Sequence, residues 1–152
     1  MSPLFGKKNT SPREGVVVGS AKSAVSGSEA EPGSPIEALV ARLDGLALTE
    51  LGSEVMTGVM NSAERQPGEL FNVARVLAFA VGGLEAADAA EQDPRMRDLV
   101  GEGVQVLEQA RLVRLEAWQG GQFYHVGYVP TRLGRAAVEQ NAVERILAGG
   151  SL

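Results

Sequence analysis

The sequence predicts a mainly α-helical domain that carries one β-hairpin: about five helices and a single two-stranded ribbon. Three observations lead there. Apolar residues recur at helical spacing in five stretches, within 36–43, 51–60, 70–84, 96–107 and 133–147. The period changes to two only inside Arg111–Arg135, where Val113, Leu115 and Ala117 alternate with Arg114 and Glu116. The chain has 152 residues and 44% apolar content, enough for one core. Aromatics make up only 5%, so small side chains and glycines must fill much of that core.

Residues 1–33 read as a flexible N-terminal tail, rich in Ser, Gly, Pro and Lys. Such a segment buries too little apolar surface to offset its chain entropy. The short run Val16-Val17-Val18 alone suggests order there, and Leu4-Phe5 with Lys7-Lys8 is a weak candidate contact for a partner or an acidic lipid surface. The folded domain is expected over 34–152. Ser34-Pro35-Ile36-Glu37 is a helix start: a capping serine, proline at the first helical position and glutamate three residues on. Ile36, Leu39, Val40 and Leu43 mark its inner face, and Gly45 ends it. Thr49 is the expected cap of a second helix, with Leu51, Val55, Met56, Val59 and Met60 inward. Asn61-Ser62 to Pro67-Gly68 reads as a turn.

Residues 69–87 form the most apolar helix, expected at the centre of the core or in a subunit interface. Leu70, Val73, Leu77, Val81 and Leu84 define its inner face, and Gly82-Gly83 is a candidate kink. Its acidic exit, Glu85, Asp88, Glu91 and Asp93, reads as a solvated face. Asp93-Pro94 starts the next helix, which runs to about Ala110 with Met96, Leu99, Val100, Val104 and Leu107 inward. Gly101 and Gly103 weaken that helix and mark close packing or a bend. The hairpin follows at 112–129, turning at Gln119-Gly120-Gly121-Gln122. Thr131 caps one last helix, with Leu133, Ala137, Val143, Ile146 and Leu147 inward and Gly149-Gly150 at its end.

Charge narrows the choice of partner. The overall net charge of −5 divides into +3 over residues 1–28, −9 over 29–93 and +1 over 94–152. An acidic middle repels nucleic acid, while the C-terminal part allows at most a local basic face. The absence of cysteine excludes disulfides and thiolate metal sites, and one histidine excludes a histidine-rich metal centre. No stretch approaches the ~20 apolar residues of a membrane span, and no signal-peptide pattern is present, so a cytoplasmic protein without stable membrane insertion is expected. Hydrolase, nucleotide-binding and dinucleotide-binding signatures are missing, and the lone His125 has no nucleophile or metal to serve. The expectation is a protein that is not an enzyme and needs no cofactor.

The order from 94 to 148 resembles the C-terminal half of winged-helix domains of bacterial transcription regulators. A helix reaching Leu107 leads into the strand Leu112–Leu115, a wing turns around Gly120-Gly121, and Thr131, Gly134, Arg135, Ala136 and Ala137 match the start of a closing helix. The resemblance implies a winged-helix-like, helix-turn-helix, DNA-binding homodimer. Its DNA-facing candidates are Arg95, Arg97, Gln105 and Gln109 on the helix before the wing, then Arg114, Gln119, Gln122 and His125 on the ribbon, and Arg132 and Arg135 beside it. Glu102 and Glu108 on the same helix oppose that reading. The alternative is a protein-interaction or scaffolding module. It would use the ribbon aromatics Trp118, Phe123, Tyr124 and Tyr128 together with Phe71 and Phe79 of the apolar helix. Interleaved acids with an exposed aromatic patch over 94–135 would favour the protein partner; a continuous positive stripe would favour DNA.

Overall fold

The computed structural model describes residues 33–63 and 69–152. The expectations for the leader up to residue 32, and for the turn at Pro67-Gly68, lie outside these residues; the start of that turn is corrected, because Asn61-Ser62 belong to a helix that runs on to Ala63. Within them the chain is mainly helical with one small antiparallel hairpin. Helices α1 (Pro35–Asp44), α2 (Leu48–Ala63), α3 (Leu70–Gln92) and α4 (Pro94–Gln109) precede strands β1 (Val113–Gly120) and β2 (Phe123–Pro130). Helices α5 (Arg132–Glu139) and α6 (Val143–Leu147) close the domain.

The local start signals act as read. The Ser34 hydroxyl accepts from the Glu37 amide at 3.2 Å, and the Asp93 carboxylate accepts from the Arg95 amide at 2.9 Å, each ahead of a helix-opening proline. Thr49 is a correction: the Leu51 amide already bonds to the Ala47 carbonyl, so α2 begins before Thr49. The single closing helix is a second correction, because Asn141 at φ 53° splits it into α5 and α6. Helices α4, α5 and α6 all end alike, with a left-handed residue (Arg111, Asn141, Gly149) followed by an amide that reaches back five residues, such as Leu112 to Leu107 at 2.9 Å.

Helix α2, not α3, is the centre of the core. Its Leu51, Val55, Met56 and Val59 are fully buried against α3, α4, α6 and β2. Among the described residues α3 is the one helix long and apolar enough, by length and composition, to cross a membrane, which corrects the expectation that no stretch approaches a span. It is not one rod. Gly83 adopts φ 71° and ψ −157°, a conformation closed to side-chain-bearing residues, and the helix breaks there. Arg75 then meets Asp88 at 2.6 Å and Glu91 at 2.9 Å. In a straight helix a separation of 13 residues would set them about 20 Å apart. The two halves, 70–82 and 84–92, therefore fold back on each other, and each is shorter than the ~20 residues a span requires. Ala74, Ala78, Ala86 and Ala90 line the buried side, small enough for close approach. Asp88 and Glu91, read as a solvated face, are ion-paired, and Asp93 is buried.

The base of the ribbon is sealed where α4, β1 and α5 meet. The Thr131 hydroxyl donates to the Arg111 carbonyl at 2.7 Å and accepts from the Gly134 amide at 2.9 Å, while the Thr131 amide bonds to the Leu112 carbonyl at 3.0 Å. A Cβ on Gly134 would collide with the Leu112 carbonyl oxygen and sit 3.0 Å from the Met56 methyl. Leu133, expected inward, is thus displaced to the surface, and glycine occupies the inner position. Gly103 similarly faces Val55, whereas Gly101 faces open space. Gly134→Ala is expected to lower unfolding free energy by about 2–3 kcal/mol through overpacking. Gly101→Ala should raise it by about 0.5–1 kcal/mol through helix propensity. Urea titrations of the two variants against the parent chain test the pair, and equal effects would refute the steric assignment.

Candidate interaction surfaces

Two surfaces flank the base of the ribbon: the outer side of α4 and the ribbon itself. On α4, Arg95 is already paired within the domain. Its guanidinium bonds to Asp93 at 2.8 and 3.1 Å and to Glu37 on α1 at 2.9 and 3.3 Å. The Glu37 carboxylate, positioned by sequence to reach back to its own helix start, instead crosses to α4. Burial pushes the Asp93 carboxyl up, but the Arg95 side chain and amide outweigh it and hold the group below the usual carboxylate range. Hydrogen bonds to Asp93 and then Glu37 likewise hold the Arg95 guanidinium above its ordinary value. The α4 N-terminus, expected to favour a phosphate, is already occupied by a carboxylate.

Along the exposed side of α4, Arg97 is the single cation among Asp98, Glu102 and Glu108, with Gln105 and Gln109 neutral. Arg97, Asp98, Glu102 and Gln105 face α1 residues Glu37 and Asp44 across an open cleft of about 890 Å³. This helix carries no continuous positive stripe. Arg132 and Arg135 are exposed on the first turn of α5, and Arg114 spends its guanidinium on Glu116 at 2.9 Å.

The ribbon turns through Gly121-Gln122, and of its paired glycines only Gly121 uses a positive φ, 63°. Its register sorts the side chains onto two faces. Trp118 lies opposite His125, and the rings stack with centroids 5.1 Å apart; His125 Nδ1 stands 4.0 Å from the Glu69 carboxylate at the start of α3. Arg114 and Glu116 share that face, with Gly127 buried on it. The other face holds Leu115, Ala117 and Gln119 against Tyr128, Val126 and Tyr124, with no charged residue. At its base Val113 and Pro130 are buried, and Tyr128 packs on the core; burial and then the Glu108 charge hold its hydroxyl above the ordinary value. Beyond the base the face opens to solvent, with Leu115 51%, Val126 44% and Tyr124 75% exposed.

The expected alternation gives one apolar and one polar face, and beyond its base the apolar face is exposed. Among the aromatic candidates, Phe123 and Tyr124 are exposed at the ribbon tip, Phe71 and Phe79 are exposed on α3, and Trp118 and Tyr128 are half-buried. Gln119 and Gln122 are exposed near the turn, Gln119 donating to the Gly121 carbonyl at 3.4 Å. Sequence reasoning missed Leu115 and Val126 as surface residues, and also Val81 and Leu84, which flank the break at Gly83 and are exposed although both were expected on the inner face. No group of three or more His, Cys, Asp or Glu residues suited to a metal ion occurs among the described residues. No protein-family model matches the chain, and no curated protein or solved structure matches it.

Replacing Arg95 by alanine is expected to cost about 1–2 kcal/mol at neutral pH. It strands a carboxylate whose side chain is 3% exposed, although the partly exposed guanidinium is discounted for solvent screening. Because the Asp93 pKa is lowered on folding, this stabilisation is present above the ordinary carboxylate range and disappears as pH falls through the lowered value. Urea titrations at neutral and strongly acid pH should therefore show the gap between R95A and the parent chain closing in acid. A gap that persists there would assign the effect to the packing of the arginine stem.

Proposed function

We propose that this domain is a winged-helix-like protein-docking module rather than a DNA reader, and that the charge-free outer face of its ribbon makes the contact. The observation carrying this reading is the clustering of Leu115, Val126 and Tyr124 on one solvent-facing ribbon surface, with the ribbon's charges on the opposite side. Contiguous exposed apolar surface on a small domain is the usual mark of a protein interface. The order helix, ribbon, Thr131-capped helix supports the winged-helix-like description. The committed Arg95 and the acids around Arg97 argue against phosphate contacts from α4. The proposed module acts without catalysis, in the cytoplasm, and self-association through the ribbon face would be its homodimeric form.

The test begins with affinity capture by the native chain and by an L115D/V126D double variant, followed by titration of any captured protein in purified form. Leu115 and Val126 are already about half covered, so burying what remains of the two stabilises a contact by roughly 1.5–3 kcal/mol, and the double variant should weaken binding at least about tenfold. Arg97→Ala should leave that affinity unchanged. Salt-dependent association with random duplex DNA, weakened by Arg97→Ala or Arg132→Ala, would overturn the proposal in favour of the DNA-binding reading.

A further inference from the structure

The cleft between α1 and α4 is chemically unlike the ribbon. Its floor is apolar, built from Val40 and Ala41 of α1, Leu70 of α3 and Leu99 of α4. Its rim carries Glu37, Asp44, Asp98 and Glu102 against Arg95 and Arg97, a net of −2. Arg95 is already held by Glu37 and Asp93, so Asp44, Asp98 and Glu102 face only Arg97. An occupant with spaced cations and a short apolar run would match both the rim and the floor.

Such a segment lies ahead of α1 in the chain, joined to it by a connection that carries Glu29 and Glu31. Ser34 caps α1, and Glu37, the first cleft residue, follows one turn later. Ahead of Gly33 the sequence holds Lys7, Lys8, Arg13 and Lys22 against the single Glu14 over residues 1–28, with Val16-Val17-Val18 between Arg13 and Lys22. The connection from Lys22 to Gly33 reaches up to roughly 35–40 Å when extended. The cleft wall from Arg95 to Gln105 rises only about 15 Å along α4, well within that reach. A tethered segment also meets its site at an effective concentration on the order of millimolar, so a modest charge match suffices.

We propose that the α1–α4 cleft is the docking site of the chain's own basic leader, residues 7–22. This stands independently of the ribbon reading. The leader would occupy the outer side of α4 and leave the ribbon free.

The absence of cysteine permits a clean test in the full chain. Ser23→Cys carrying a nitroxide spin label should broaden the amide resonances of Ala41, Gly101 and Glu102 at low ionic strength. The broadening should vanish in about 0.5 M salt, where screening acts within a few ångströms. It should also vanish in a D98N/E102Q background, where two exposed rim acids are neutralised and the core is untouched. Broadening centred on the ribbon or at Gly83, broadening insensitive to salt, or none at all would overturn the proposal. Mixing spin-labelled chains without nitrogen-15 with unlabelled nitrogen-15 chains separates the last alternative. Cleft broadening in that mixture would mean that a second copy supplies the leader, and would likewise overturn the intramolecular assignment.

Discussion

The reversal at Gly82-Gly83 is the constraint on which the helical body depends. An unbroken helix over Leu70–Gln92 would be about 35 Å long and would leave much of its apolar length without a partner. Folding it back lets alanines on the two halves pack closely, and brings Asp88 and Glu91 to Arg75. The same turn seats Gly82 against Pro35, so the start of α1 is packed on the apex of α3. Asp93 then arrives beside Arg95 and Glu37, and the clip between α1 and α4 can form. The reversal has a cost that remains visible: Phe79, Val81 and Leu84 are left exposed around the apex.

Helix starts were legible because they depend on neighbours in sequence. Ser34-Pro35 and Asp93-Pro94 satisfy amides one turn away, and Thr131 does the same for α5. Helix faces were legible where the helix is straight, as in α2 and α4. They failed in α3 at its break, since a periodic pattern carried through Gly83 assigns Leu84 to a face that no longer continues, and Val81, in the last turn before the break, is exposed. The break itself has only the glycine pair as a local sign. The ion pairs at 13 and 16 residues' separation that mark a complete reversal are tertiary and have no sequence period.

The ribbon shows a different limit. Period-two alternation states which residues share a face, and the register confirms that Leu115 and Ala117 share theirs with Val126 and Tyr124. It does not state which face the rest of the domain covers. Here Gly127 is buried and His125 stands beside Glu69 on the polar face, while Val113, Pro130 and Tyr128 anchor the base of the apolar face on the core, so both faces meet the body.

Charge was the most transferable of the sequence arguments, and the structure shows why a count was still too coarse. The seven cations over 94–152 nearly balance six acids, which leaves room for a basic face. On α4 that face is not assembled. Arg95 and Arg114 are tied to carboxylates, Arg97 sits among acids, and Arg132 and Arg135 belong to a different helix from the one that would enter a groove. Guanidiniums bound in this way cannot release counterions from a phosphate backbone without first giving up their own partners, so each contributes less than its formal charge suggests. The ribbon avoids this competition altogether. An apolar face has no ion pair to break and gains free energy in proportion to the surface a partner covers. On this molecule, then, contact through Leu115, Val126 and Tyr124 starts with no electrostatic debt, whereas contact through α4 starts against an acidic wall.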